Sequence, residues 1–368
     1  MKNSLRFGAI AAAVALSLAA CGQAPTESKD TQSEAASGDG GEATVEKSDV
    51  KACMVSDQGG FDDKSFNQSG HDGLTKAEKE LGVEIAQAES TGDQDFAPNI
   101  ENMVQGDCDI IIGVGFLMDQ AMAEAAAKYP DVKFALVDST IGDSSLENTR
   151  ALLFNTAEAG YLAGYASAAM STTGKVGTYL GMQIPSTAVF ADGYSDGVAK
   201  YNEDKGTNVE LLGWDKAAQT GMAVGNFEDQ AKGKQFTEEL FNQGADVVMP
   251  VAGPVGLGTL AAAKEHEGTM VVWVDADGYL TEPDSGSVIL TSVLKQIEAA
   301  VFDSIKMVVD DSWTSDPFIG TLANDGVGIA PWHDFADKVP ADLDDEISAL
   351  RDGIIDGSIV VESVNTPK

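Results

Sequence analysis

CDIIIGVGFLMDQAMAEAAAKYPDVKFALVDS, residues 108–139, sets two short apolar runs on either side of a helix-length amphipathic stretch. Runs that are apolar at every position, not at alternate ones, suit strands buried on both faces, and a strand–helix–strand order suits parallel pairing. The same alternation extends outward in both directions. KACMVSD and VEIAQ precede it, and KVGTYLG, VELLG, ADVVMPVAG and MVVWVDAD follow the helix-like AEAGYLAGYASAAM. This predicts an α/β protein of two doubly wound parallel-sheet lobes. The tail from SVILTSVLK onward holds one more helical stretch, LKQIEAAVFDSIKMVV, and short strand-like pieces, as expected if the chain recrosses between lobes. The expected division is lobe I over 51–155 plus about 292–330, and lobe II over 156–291 plus about 331–368.

Composition narrows the function. The 368 residues carry 23 basic and 59 acidic side chains, a formal charge of −36. Such a surface repels nucleic acid, so no nucleic-acid partner is expected. With 43% hydrophobic and 22% charged residues, most of the chain can bury a core. Residues 1–20 read as a signal peptide, with Lys2 and Arg6 ahead of an apolar run from Phe7 to Ala20 that is too short to span a bilayer. Leu18-Ala19-Ala20-Cys21 resembles a bacterial lipobox, which implies lipidation of Cys21 and anchoring to the cell membrane; the alternative is an ordinary secretory signal. Residues 21–50 are rich in Ser, Thr, Glu, Asp and Gly and read as a flexible tether. Cys53 and Cys108 read as two buried thiols, with a disulfide as the alternative in an oxidising compartment.

Ligands of such sheets sit beyond the carboxyl ends of the strands. Asp57, Asp138 and Asp275 each terminate an apolar strand, and Gly59, Gly60, Gly113 and Gly115 lie at similar exits. A single aspartate there could simply cap a helix or turn; three, split between two lobes, favour a shared cleft. Ionised carboxylates suit a hydroxyl-rich ligand such as a sugar or nucleoside and disfavour phosphates. Lys295, in TSVLKQ, could balance part of that charge, or could be a solvated helix lysine.

DQGGFDDKSFNQSGHDG, residues 57–73, resembles the signature of the basic membrane protein lipoproteins, the purine nucleoside receptors of ABC transporters, through Asp57, Gly59, Asp63, Ser65, Phe66, Asn67 and Gly70. KYPDVKFALVDS, EAGYLAGYASAAM, the segment around Phe190, GADVV with Ala252-Gly253, the Asp275-x-Asp277 pair and TSVLK extend the resemblance over residues 51–335. It implies a type I periplasmic-binding-protein fold, a ligand held but not transformed, no cofactor, and as partners a nucleoside and an ABC permease with a separate ATPase subunit. It further implies that Phe66 stacks on a purine with Phe190 on the other face, that Asp57 and Asn67 read the base edge with Asp138 also in the cleft, that Asp275 and Lys295 hold the ribose, and that Gly253 allows close approach. Gly278, where many relatives carry a polar residue, departs from the pattern and weakens the expected recognition of ribose.

Other readings fit less well. Gly193-Tyr194-Ser195-Asp196-Gly197 matches the G-x-S-x-G elbow of serine hydrolases, but VFADGYSDGVAKY reads as helical throughout. The glycines from 253 to 258 lack dinucleotide-loop spacing, a Walker lysine is absent, and His71, His266 and His333 show no metal-ligand spacing. A sugar receptor or a surface sensor of the same fold remains the alternative within the class.

Overall fold

The computed structural model describes residues 46–142 and 146–367; the signal segment, Cys21 and most of the tether lie outside the described residues. The first half of the chain lays down β1 (Lys51–Ser56), α1 (Phe66–Leu81), β2 (Glu84–Ala88), α2 (Asp93–Gln105), β3 (Ile110–Val114), α3 (Asp119–Lys128), β4 (Lys133–Val137) and β5 (Thr149–Phe154). The second repeats the alternation with α4 (Thr156–Met170), β6 (Lys175–Leu180), α5 (Pro185–Lys205), β7 (Glu210–Leu212), a small hairpin of β8 (Trp214–Asp215) and β9 (Thr220–Gly221), α6 (Gln230–Asn242), β10 (Val247–Val251), α7 (Gly256–Glu265), β11 (Met270–Asp275), the single turn α8 (Gly278–Thr281) and β12 (Ile289–Lys295). Then come α9 (Ile297–Val309), β13 (Phe318–Gly320), β14 (Val327–Ile329) and α10 (Leu343–Ile355).

Two six-stranded sheets result, ordered β13-β5-β4-β3-β1-β2 and β14-β12-β11-β10-β6-β7. Every pair within them is parallel except β12–β14. Position by position the orders match, so β1, β3, β4 and β5 correspond to β6, β10, β11 and β12. The chain leaves the first sheet after β5, returns after β12 through α9, which packs on α1, and crosses once more between β13 and β14. Compared with the expected divisions near 292 and 331, β12 stays in the second sheet to Lys295 and the last crossing comes before Val327.

The unbroken apolar strands are explained by where alternate residues go. Ala52 and Met54 enter the core shared by the two halves, while Cys53 and Val55 face the layer under α2 and α3. In β11, Val272 and Val274 join the shared core and Val271 and Trp273 the layer under α7. A side-chain period of two with both faces covered leaves no polar position to spare. Cys53 and Cys108 are joined as a disulfide, Cα atoms 6.0 Å apart, so the reading as two free thiols is corrected: Cys53 on β1 and Cys108, just before β3, join the same buried layer within bridging reach.

The pair α4 and α5 crosses unusually closely because small residues face backbone. A Cβ on Gly164 would strike the Tyr194 carbonyl, one on Gly193 the Ala157 carbonyl, and one on Gly197 the Tyr161 carbonyl. The G-x-S-x-G run is therefore the middle of a 21-residue helix, its glycines used for packing. We expect Gly197→Val to lower stability by about 1–3 kcal/mol, read as a lower urea midpoint with little change in slope, because the helices cannot separate without breaking the shared core. An unchanged midpoint would show that the crossing can relax.

Candidate functional site

The carboxyl ends of both sheets face one cleft. Strand exits supply most of its wall: Asp57 and Gln58 after β1, Phe116 after β3, Asp138 after β4, Gly253 after β10, and Asp275 and Lys295 at the ends of β11 and β12. Helix starts add Phe66 and Asn67 from the first turn of α1 and Phe190 from the second turn of α5. All eight residues singled out as ligand-binding thus line a single cavity. It comprises about 490 Å³ of space between the two halves, part of it open to solvent, a slot with Phe66 and Phe190 among its lining residues.

Its electrostatics centre on Lys295. The side chain is 2% exposed, and Nζ donates to both oxygens of Asp138 at 2.8 and 2.7 Å and lies 3.7 Å from Asp275. Three rings surround the same ammonium, with centroids 4.6 Å away for Phe66, 5.2 Å for Phe154 and 5.7 Å for Phe190. Asp138 and Asp275 occupy equivalent strand exits of the two halves, and both adopt the left-handed backbone region, with φ of 69° and 70°. Aspartate tolerates that region better than most residues, and such conformations gather at functional sites. Burial raises the Asp138 carboxyl above its usual range, against the pull of Lys295. Burial likewise pushes Asp275 up to about 6, with Lys295 pulling down and Asp138 pushing up.

At the other end, Asn67 donates from Nδ2 to Asp57 Oδ1 at 3.2 Å and to the Gln58 carbonyl at 3.0 Å. Asn67 Oδ1 is buried with no hydrogen-bond partner within the protein, an acceptor open to a ligand's N–H. Burial lifts the Asp57 carboxyl well above its ordinary value, the Asn67 amide partly offsetting it. Gly115, at φ 127°, lets β3 turn beside Asp57, whose carboxylate fills the space any Cβ would take.

Two other motif residues have structural work. Asp63 accepts the N–H groups of Ser65, Asn67 and Gln68 and so caps α1. Asp277 accepts from the Tyr279 amide and from His333, away from the slot, and Gly278 lies against the Trp273 ring where no Cβ fits. The halves also meet directly. Ser65 Oγ is 2.9 Å from both Asp275 Oδ2 and the Val274 carbonyl, while Trp273 Nε1 and Thr281 Oγ1 donate to the Lys64 carbonyl at 3.3 and 2.9 Å.

Sequence reasoning missed Phe116, Phe227, Gln58, Ile184, Ser186 and Thr187 in the wall. The strand-exit rule could have found Phe116 and Gln58. Phe227 comes from a loop between β9 and α6 that carries no such signal.

The family model for the ABC transporter substrate-binding protein PnrA-like group matches residues 50–364. The chain belongs to this family. It is 30% identical over 380 residues to the ABC transporter nucleoside-binding protein BmpA of Lactococcus lactis, covering 98% of this chain and 99% of that one. It is 33% identical over 321 residues to an uncharacterised lipoprotein of Pyrococcus abyssi, covering 86% and 77%. Among solved structures, an ABC transporter solute-binding protein of Aeropyrum pernix superposes with a TM-score of 0.77 at 26% identity over 85% of this chain and 94% of that one. The fold is accordingly the type I periplasmic solute-binding one, and the PnrA-like protein is the substrate-binding component of an ABC transporter, not an enzyme. Its partners are a small-molecule ligand and a permease. Ser195, on α5 between two packed glycines, is consistent with that.

Removing the central cation exposes the charge balance. In Lys295→Met, two buried carboxylates lose their counterion, which typically costs about 3–5 kcal/mol. Each carboxyl is already raised in the folded state, so the folded protein binds protons more tightly than the unfolded one, and its stability falls as pH rises through that window. Without Lys295 the folded values rise further and the window extends upward. The deficit relative to wild type, measured by urea unfolding, should therefore be small at pH 5 and largest at pH 8; an equal deficit at both would contradict this balance.

Proposed function

We propose that this PnrA-like protein captures purine nucleosides between its two halves and, held outside the cell by a lipid on Cys21, hands them to an ABC permease with a separate ATPase subunit. The observation that carries the reading is the slot lined by Phe66 and Phe190, with a lone acceptor and Asp57 at one end and the Lys295–Asp138–Asp275 cluster at the other. A flat heterocycle suits such walls, where stacking contributes about 1–3 kcal/mol per base. Ribose hydroxyls suit the carboxylates, which accept charge-assisted hydrogen bonds, and Lys295 adds a donor. A phosphate would meet four carboxylates, Asp57, Asp63, Asp138 and Asp275, against one ammonium. The nucleoside-binding name of the Lactococcus lactis relative supports the same ligand class.

Capture follows from contacts to both halves. Asp57, Phe66, Asn67 and Asp138 belong to the first sheet's side, and Phe190, Gly253, Asp275 and Lys295 to the second, so a ligand touching all of them favours the closed arrangement. The signal run and the Leu18–Cys21 box support export and lipidation, as do the lipoprotein names of relatives.

Thermal shift and calorimetry of the mature protein test the ligand, since a ligand that binds only the folded state raises its apparent stability. Purine nucleosides should stabilise it, and free ribose and nucleotides should not. Phe66→Ala and Asp275→Ala should each weaken nucleoside binding by about tenfold or more, near 1.4 kcal/mol, while unfolding stays cooperative. Wild-type affinity in both variants would place the ligand elsewhere, and a response to ribose alone would favour a sugar receptor. For the anchor, Cys21→Ser should move the protein from the membrane fraction to the soluble extracytoplasmic one; retention in the membrane would refute lipidation at that residue.

A further inference from the structure

Next to the slot lies a second, roomier chamber. It comprises about 800 Å³, against about 490 Å³ in the slot, both partly open to solvent, and the two share Phe116, Asp138 and Ser186 as a common wall. The chamber shares neither the slot's base-edge residues Asp57 and Asn67 nor Lys295 and Asp275; of the charged cluster only Asp138 lines both spaces. Apolar side chains form much of its lining, with Leu153 and Phe154 at the end of β5, Val189 on α5 and Val364 from the C-terminal segment.

Several of its polar side chains are already partnered. Ser139 Oγ donates to Asp119 at 2.6 Å, Thr140 Oγ1 to the Gly142 carbonyl at 3.0 Å, and Asp138 is held by Lys295. The outer wall is fastened as well. Buried Asp192 accepts from Ser363 Oγ at 2.6 Å and Asn365 Nδ2 at 3.0 Å, and also from Trp214 and Gln219, tying the C-terminal segment to α5 and to the β8–β9 hairpin. An incoming group thus meets apolar side chains together with hydroxyls that are bonded at Ser139 and Thr140 and, among the described residues, free of a protein partner at Ser186 and Thr366. Among the described residues, no lysine or arginine lines the chamber, and Asp138 is its one acidic side chain.

We infer that this chamber is a subsite for a neutral, apolar substituent carried on the sugar end of the ligand, so that the protein accepts 5′-substituted nucleosides such as 5′-thioethers alongside the unsubstituted ones. The inference rests on the nucleoside reading above. With the base at Asp57 and Asn67 and the ribose at Lys295, the sugar lies beside Asp138, which lines both spaces, and C5′, its exocyclic carbon, is the position where a substituent can be carried without removing a ring hydroxyl. Such a group would bury apolar area against Leu153, Phe154, Val189 and Val364 while leaving the bonded Ser139 and Thr140 hydroxyls undisturbed. A phosphate at the same carbon would face Asp138 with no cation among the described residues of the chamber wall.

Calorimetry with matched pairs provides the test: adenosine with 5′-deoxy-5′-methylthioadenosine, inosine with 5′-deoxy-5′-methylthioinosine, and the corresponding 5′-monophosphates. For each base whose parent nucleoside binds, the thioether should bind within about tenfold of it, one decade of affinity. A thioether loss beyond about a hundredfold while the parent binds overturns the subsite and leaves the nucleoside reading intact. Failure of every parent and thioether to bind overturns both. A monophosphate that binds as well as its parent overturns the preference for neutral groups.

Two variants locate the substituent. Val364 is 77% exposed, so Val364→Trp should fold and reach into the chamber, and Val189→Trp should fill it from α5. Either should raise the thioether-to-parent ratio of dissociation constants by about tenfold. An unchanged ratio in both would put the substituent outside this chamber and refute the assignment.

Discussion

One buried ammonium holds the site together. Lys295, at the end of the second sheet's β12, binds the Asp138 carboxylate of the first half and sits 3.7 Å from Asp275 of its own. The two carboxylates occupy equivalent strand exits, each in a left-handed backbone conformation that aims it at the centre of the cleft. A buried ion pair adds little net stability, because desolvation offsets most of the attraction, but it penalises every arrangement in which one partner is left alone. Its value here is geometric. The charges agree only when the two halves meet in this way, and the Ser65 hydroxyl and the Lys64 carbonyl, bonded to residues 273–281, reinforce that choice.

The scaffold makes that geometry affordable by being stiff elsewhere. Both sheets are covered on both faces, and the shared core runs through residues of both. The helices α4 and α5 touch backbone to backbone at Gly164, Gly193 and Gly197, which leaves little freedom to slide. On this base the slot can keep a small excess of negative charge and an unpartnered acceptor, Asn67 Oδ1, features that would be costly in a core and are useful in a binding site. The disulfide between Cys53 and Cys108 secures the sheet beneath Asp57, four residues beyond Cys53 in the chain.

The roles of the motif residues also divide by physics. Within DDKSFN, Asp63 lines the slot but spends its carboxylate capping its own helix, Ser65 reaches across to Asp275, and Phe66 and Asn67 present their side chains to the slot. In the Asp275-x-Asp277 pair the first residue faces the cleft and the second anchors Tyr279 and His333. A motif shared across a family therefore records fold requirements and ligand requirements together, and spacing alone does not separate them.

Much of this was legible in the sequence because it follows from local rules. Continuous apolar runs alternating with amphipathic stretches specify parallel strands buried on both faces, and the strand-exit rule picks out Asp57, Asp138 and Asp275 before any coordinates exist. What the tertiary structure alone decided depends on contacts between residues far apart in the chain. Lys295 lies 157 positions from the carboxylate it binds, Phe227 reaches the cleft from a loop with no periodic signal, and Cys53 on β1 meets Cys108 from the turn that enters the neighbouring strand. The C-terminal segment is held at the chamber by Asp192, buried in the middle of a helix, together with Lys216 and Gln219. Periodicity records which face of an element is buried; it carries no information about which distant element will cover that face, and that pairing is set by packing and charge in three dimensions.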